Sequence, residues 1–194
     1  MLFRSFERTE DRRDYAYTPE EPLITERLTT AGIPVYAVGK IEDILAHRGI
    51  TESIHSANTA ASQKVVEQFM QKEGDGFIFA NFIDFDMLYG HRRDPQGYAT
   101  ALRQTDQWLG TFLPTLGSDD VLILTADHGN DPTFKGTDHT REFVPLLVYR
   151  PGQLGQNLGI RQGFFDIAQS VATRFHLAPL PRGKSFIQPP KETP

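Results

Sequence analysis

Residues 77–83 read FIFANFI, a continuous apolar run of the kind that forms a strand covered on both faces. VLILTA at 121–126 predicts a second fully buried strand, and IPVYAV at 33–38 predicts a short one. FVPLLVY at 143–149 predicts a further strand, in which Pro145 indicates an edge position or a bulge. These runs define the predicted sheet.

Helical patterns alternate with the strands. Thr18 is a suitable N-cap with Pro19 behind it, and the pair Asp94-Pro95 has the same character. The predicted helices span residues 18–32, 58–72, 95–116 and 164–175. This alternation predicts an α/β fold with a mostly parallel sheet and flanking helices. Ligands of such sheets bind at the carboxyl ends of the strands, so we expect the site to follow the two most apolar runs.

Composition limits the possible function classes. The chain has 194 residues, 39% of them hydrophobic and 23% charged, which is ordinary for one globular domain. A net charge of −5 argues against general nucleic-acid binding. No run approaches the length of a membrane helix and no secretory signal is evident, so we predict no membrane partner and a cytoplasmic location. The absence of cysteine excludes disulfides and thiolate catalysis.

The candidate functional residues follow the two apolar runs. Asp86 and His91 come after the first run, and Asp127 and His128 come directly after the second, with His139 in the loop beyond. Because the carboxyl ends of parallel strands share one edge, these side chains are expected to converge. Carboxylates and neutral imidazoles together suit divalent ions such as Mn²⁺, Zn²⁺ or Fe²⁺.

Structural explanations exist for each residue alone. An Asp-His pair after a strand is more often a capped turn than a pair of ligands. Asp86 could cap the next helix, and His139 could pack against Phe134. Five such residues at adjacent strand ends are harder to explain in this way, so the constellation favours a metal site.

Longer motifs resemble one enzyme family. The segments VGKIEDI, NFIDFDMLYGHRRDPQGYATAL and TADHGNDPTFKGTDHTREFVPLLVY are similar to those of phosphopentomutases, which belong to the alkaline phosphatase superfamily. The resemblance extends from about Arg8 to Phe186. It implies transfer of phosphate between the C1 and C5 hydroxyls of ribose or deoxyribose. It also implies two Mn²⁺ ions, a phosphorylated threonine and a sugar bisphosphate activator.

The resemblance assigns roles to individual residues. Asp86, His91 and His139 correspond to the ligands of one metal ion, and Asp127 and His128 to ligands of the other.

Lys40 corresponds to a contact for the substrate phosphate, and Arg8 and Arg12 resemble parts of the same basic pocket. The alternative for these three cations is a solvated surface position, which is the commoner state of an arginine in a loop.

Two expected elements of the family are missing from the sequence. The family's nucleophilic threonine and a further metal-binding aspartate lie in an N-terminal stretch that this chain does not match, and none of Thr125, Thr137 and Thr140 is marked as a replacement. We therefore expect a C-terminal portion of the enzyme, with an incomplete alkaline-phosphatase-like core, that is inactive alone. Its expected partners are a pentose phosphate and either the missing half or a second copy.

The same reading divides the chain into three parts. Residues 1–18 would be an arm or the end of the family's cap domain, 19–187 the metal-binding core, and 188–194 a disordered tail. Two alternatives stay open. One is a catalytically silent metal-binding remnant, and the other is a different phosphomutase or hydrolase of the superfamily.

Overall fold

The structure is a computed structural model and describes residues 16–188. Arg8, Arg12, most of the predicted arm and nearly all of the predicted tail lie outside the described residues. The expectations for those parts therefore stay predictions.

The described residues alternate between helices and strands. In chain order the elements are α1 (Ile24–Thr30), β1 (Val35–Val38), α2 (Ile41–Ile44), β2 (Glu52–Ile54), α3 (Thr59–Phe69), β3 (Phe77–Ala80), a π-helical turn (Phe85–Gly90), α4 (Pro95–Phe112), a 3₁₀ turn (Leu113–Thr115), β4 (Leu122–Thr125), β5 (Leu146–Tyr149) and α5 (Phe165–Arg174). This confirms the α/β class. Asp94 caps α4 as the sequence predicts, because its side chain accepts a hydrogen bond from the Gly97 backbone N–H.

A parallel sheet in the order β2-β1-β3 forms the centre of the fold. Val38 of β1 aligns with Ala80 of β3, so the two strands end side by side. Val35, Ala37 and Val38 are completely buried, which fits a central strand with helices on both faces. The neighbouring carboxyl ends of β1 and β3 place the segments that follow them next to each other.

Strands β4 and β5 form a separate antiparallel pair, with Leu122 opposite Tyr149. The sequence had suggested that β4 belongs to the parallel sheet, and that detail is wrong for the described residues. Leu122 nevertheless packs against the cluster built from Val38, Val66 and Phe69, so β4 lies beside the same core. The loop after β4 therefore still lies near the segment after β3.

Two apolar clusters hold the helices against the sheet. One joins β1 to α3 and α4 through Val38, Phe69 and Phe112. The other joins Leu28 of α1 and Val171 of α5 to the opposite side of β1. The parallel sheet is therefore covered on both faces, as the α/β pattern requires.

Other boundaries also differ from the sequence expectation. Helix α1 begins at Ile24 rather than near Thr18, because Pro22 disfavours helical backbone at the residue before it. The Glu26 carboxylate instead accepts a hydrogen bond from the Leu23 backbone N–H at the actual start.

The faces of β3 and β4 are also less covered than predicted. Phe79 of β3 is 38% exposed and Thr125 of β4 is exposed, so neither strand is covered on both faces within the described part of the chain. Within residues 16–188 no helix combines the length and apolar character that crossing a membrane would need.

Candidate metal centre

The segment after β3 carries the first two candidate ligands. Asp84 is buried and its carboxylate accepts a hydrogen bond of 2.8 Å from the Thr59 backbone N–H, which fixes the segment to the start of α3. The π-helical turn Phe85–Gly90 follows, closed by a bond from the His91 N–H to the Asp86 carbonyl at 3.0 Å. This turn directs Asp86 and His91 toward the same point.

Three candidate ligand atoms meet there. Asp86 Oδ1 lies 3.3 Å from His91 Nε2 and 3.2 Å from His139 Nε2, and the two imidazole nitrogens are 3.1 Å apart. Ligands about 2.1 Å from one ion lie about 3.0 Å apart in octahedral and about 3.4 Å apart in tetrahedral coordination. The triangle therefore has the dimensions of one face of a coordination sphere.

The tautomer of His91 is set by its second nitrogen. Nδ1 lies 2.6 Å from the Thr137 carbonyl oxygen, which can only accept a hydrogen bond, so Nδ1 carries the proton. In the neutral ring that a metal would require, Nε2 is then the nitrogen with the lone pair, and it faces Asp86 and His139. A backbone carbonyl that orients a ligating imidazole in this way is the usual arrangement around protein-bound metals.

His128 lies against the same cluster. Its ring stacks on the His139 ring with centroids 3.7 Å apart, and Nε2 is 3.5 Å from the Asp127 carboxylate. Asp86, His128 and His139 each offer a ligand atom within 4.8 Å of the others. Asp86 and His139 therefore belong to two overlapping triads, of which the one with His91 is the more compact.

The loop that carries His139 is closed at its base. Gly129 and Thr140 form an isolated antiparallel bridge, and the Thr140 hydroxyl accepts a bond from the Asp131 N–H at 2.7 Å and donates to Glu142 at 2.9 Å. A Cβ at Gly129 would come within 2.6 Å of the Thr140 carbonyl oxygen. Only glycine allows this close approach.

Asn130 is a site residue that the sequence analysis missed. It is buried, and its side-chain amide donates a hydrogen bond of 2.6 Å to Asp86 Oδ1, the oxygen at the corner of the triangle. The available signal was its place beside Asp127 and His128 in the run DHGND. Asn130 stands two positions after His128, close enough in the chain to reach the same candidate ligands and support them by hydrogen bonding.

Several carboxylates lie close to the cluster. Burial raises the pKa of the Tyr98 phenol, and the negative charges of Glu142, Asp131 and Asp86 raise it further. Hydrogen bonds from the hydroxyl and the backbone N–H of Thr133 lower the pKa of Asp131, so this carboxylate stays charged. A concentration of negative charge beside imidazole lone pairs suits a cation.

Lys40 lies near this edge of the sheet without being part of the triangle. It directly follows Gly39 at the end of β1, which pairs with β3, and it precedes α2. The close approach between Gly39 and the Asn81 carbonyl oxygen, 2.9 Å from where a Cβ would stand, joins the two strand ends. The structure thus brings together Asp86, His91, His128 and His139, with Asp127 beside His128 and Lys40 on the adjacent strand end.

A family model described as Metalloenzyme superfamily matches residues 6–179. The chain belongs to this superfamily. It is 48% identical over 185 residues to a phosphopentomutase of Caldanaerobacter subterraneus subsp. tengcongensis, and the match covers 95% of the chain. It is also 48% identical over 184 residues to a phosphopentomutase of Herpetosiphon aurantiacus.

These relatives are much longer than the match. The matched region is 47% of each of the two phosphopentomutases, so the chain spans about half the length of the relatives it resembles. Among solved structures, the PH0037 protein from Pyrococcus horikoshii matches 69% of this chain and 36% of its own, with a TM-score of 0.56 and 19% identity. That likeness shows a shared fold.

Proposed function

We propose that this chain provides the metal-binding part of a phosphopentomutase, which interconverts the 1- and 5-phosphates of ribose or deoxyribose. The observation that carries the proposal is the ligand triangle of Asp86, His91 and His139, found in a chain that is 48% identical to phosphopentomutases over 95% of its length. A cytoplasmic location fits such a substrate.

Two divalent ions are proposed, with Mn²⁺ as the preferred metal. Asp86, His91 and His139 would hold one ion, and Asp127 with His128 would contribute to the second. Bound ions of this kind polarise phosphoryl oxygens and neutralise charge as phosphate is transferred. Mixed carboxylate and imidazole ligands suit Mn²⁺, and the stacking of His128 on His139 supports two ions lying close together.

Cationic side chains are proposed to bind the substrate phosphate. Lys40 would provide a compact positive charge at the end of β1, and Arg8 and Arg12 would add forked donors. The position of Lys40 on the strand next to β3 supports this role, since substrate phosphate must come close to the ions.

We propose that the nucleophile belongs to the half of the enzyme that this chain does not match in its relatives. The same half would contribute to the site for the sugar bisphosphate activator. The contacts of Thr140 support this, because its hydroxyl is buried between the Asp131 N–H and the Glu142 carboxylate. A hydroxyl committed to two partners is poorly placed to attack phosphorus in line. The second candidate, a silent metal-binding piece, is favoured by the same observation if no complementary half exists.

Exposed apolar side chains support a partner surface for that other half or for a second copy of the chain. Phe79 of β3 and Leu147 of β5 are 38% and 61% exposed. Apolar side chains on sheet faces tend to be covered in an assembled protein.

Complementation tests this proposal. The chain would be incubated with Mn²⁺, ribose 1-phosphate and a sugar bisphosphate, with and without the N-terminal half of the Caldanaerobacter relative, and ribose 5-phosphate would be measured. We expect Mn²⁺-dependent turnover only in the mixture, lost in Asp86→Ala and retained in Asp106→Ala, a control at an exposed position of α4. Turnover of about 10 per second by the chain alone would contradict the incomplete site. A mixture that binds Mn²⁺ without turnover would favour the silent piece.

A further inference from the structure

The side chain of Arg93 lies inside the loop that carries His139. Its Nη2 donates to the Asp138 carbonyl at 2.7 Å, its Nη1 lies 2.7 Å from the Asp131 carbonyl, and its Nε donates to the Gly136 carbonyl. A guanidinium has several donors in a rigid plane and no acceptor, so it suits an array of inward-facing carbonyl oxygens. The loop is therefore held together from inside by hydrogen bonds to Arg93.

The same guanidinium reaches back to the segment after β3. Nη1 is 3.1 Å from the Gly90 carbonyl oxygen, at the end of the π-helical turn, and 3.1 Å from the Asn130 side-chain oxygen. The backbone of Arg93 has a φ of 54°, in the left-handed region that a residue with a side chain seldom adopts. The hydrogen bonds of the side chain inside the loop help to hold this otherwise unfavourable backbone conformation.

Asn130 connects Arg93 to a proposed metal ligand. Because Arg93 can only donate, the Asn130 oxygen must face it, and the amide nitrogen must then face Asp86. A Cβ at Gly90 would lie 2.4 Å from the Asn130 amide, so glycine is needed there for Asn130 to fit. The orientation of Asn130 is thus determined on two sides.

We infer that Arg93 is a positioning residue of the metal centre, acting with Asn130. Its guanidinium holds the loop carbonyls so that His139 and the Thr137 carbonyl meet His91, and Asn130 fixes the oxygen of Asp86 that faces both imidazoles. The inference rests on the metal site of the proposed function, which it deepens.

The neighbouring Arg92 provides a matched comparison. It has the same charge and lies one position earlier in the chain, but its side chain is exposed. If Arg93 acted only through its charge near the site, the two arginines would have similar effects. If it acts through its contacts in the loop, only Arg93 matters.

Metal affinity is the first measurement. The purified chain and its variants would be titrated with Mn²⁺, and free Mn²⁺ would be followed by electron paramagnetic resonance. We expect Arg93→Met and Asn130→Ala each to weaken binding by about 10- to 100-fold. Arg93→Lys should be intermediate, because one ammonium cannot span the loop, and Arg92→Met should match wild type. Unchanged affinity in folded Arg93→Met and Asn130→Ala would overturn the inference.

Trypsin gives a second measurement that needs no metal. Lys135 lies in the loop and is exposed, and Lys64 in α3 is an exposed reference site. We expect cleavage after Lys135 to accelerate severalfold in Arg93→Met and to stay unchanged in Arg92→Met, with cleavage after Lys64 constant in both. Equal acceleration at both lysines would show an effect on global stability and would refute a positioning role. Failure of the wild-type chain to bind Mn²⁺ would count against the proposed function, while the cleavage ratio would still decide the role of Arg93.

Discussion

The parallel sheet and the β4–β5 pair differ sharply in how they are covered. Val35 and Val38 of β1 are completely buried between helices, whereas Leu147 of β5 is 61% exposed and Tyr149 is 39% exposed. The proposed metal ligands come from both regions, since Asp86 and His91 follow β3 and His139 lies between β4 and β5. The parallel sheet is therefore stabilised by burial, whereas the β4–β5 pair is connected to it mainly through the proposed metal site.

The largest expected effect comes from the buried region. Leu28 is completely buried against Val35 and Val171, so Leu28→Ala should lower the free energy of unfolding by about 2–5 kcal/mol. The matched change Leu147→Ala, at an exposed position, should cost within about 0.5 kcal/mol. Urea unfolding of both variants measures the difference. Equal costs would mean that β5 is buried in solution, for example against a second copy.

Metal binding is expected to change the free energy of unfolding by a smaller amount, and to stabilise mainly the loop between β4 and β5. At a free Mn²⁺ concentration about 100 times the dissociation constant, an ion that binds only the folded state stabilises it by about 2.7 kcal/mol. Amide hydrogen exchange should slow most in residues 127–142, because no residue of this loop belongs to either apolar cluster. His139→Ala should remove both effects. Slowing confined to β1 and α3 would contradict the proposed linkage between the regions.

The smallest effect concerns pH. Two hydrogen bonds from Arg48, at 2.9 and 2.7 Å, lower the pKa of the Glu26 carboxyl below its ordinary value of 4.5, and the Leu23 N–H adds to this. A lowered pKa in the folded state means that the contribution to stability is complete above about pH 4.5 and is lost as the pH falls through the folded value.

Glu26→Gln is therefore expected to be less stable than wild type at neutral pH by an amount that disappears at low pH. Urea midpoints measured between pH 7 and pH 3 test this, with the exposed Glu21→Gln as the control. A constant difference across that range would mean that the ion pair does not govern the titration of Glu26. The effect should be small because the pair is partly exposed to solvent.

Local signals in the sequence predicted much of this fold. The Asp94-Pro95 start of α4 was correct because a capping carboxylate and a fixed proline φ act within one turn. The start of α1 was wrong although Pro22, the deciding residue, was visible in the sequence. The antiparallel pairing of β4 was not predictable, since an apolar run does not specify the direction of its partner.

The candidate site divides in the same way. The sequence predicted that Asp86 and His139 converge, because their residue types have few other uses in clusters at strand ends, and their side chains lie 3.2 Å apart. Arg93 was missed because its role depends on backbone carbonyl oxygens, which every residue has, and Asn130 because its role depends on lying between Arg93 and Asp86. Only the folded loop shows that these oxygens face one guanidinium.

The π-helical turn Phe85–Gly90 changes the direction in which the side chains on either side of it point. In an α-helix each residue advances by about 100°, so side chains five positions apart, such as Asp86 and His91, point about 140° away from each other. The wider turn, closed by a bond across five residues, reduces that rotation and brings both side chains onto one face. A single added residue in an ordinary helix is enough to create such a turn. Asp86 and His91, which would point away from each other in an α-helix, can therefore face one ion together.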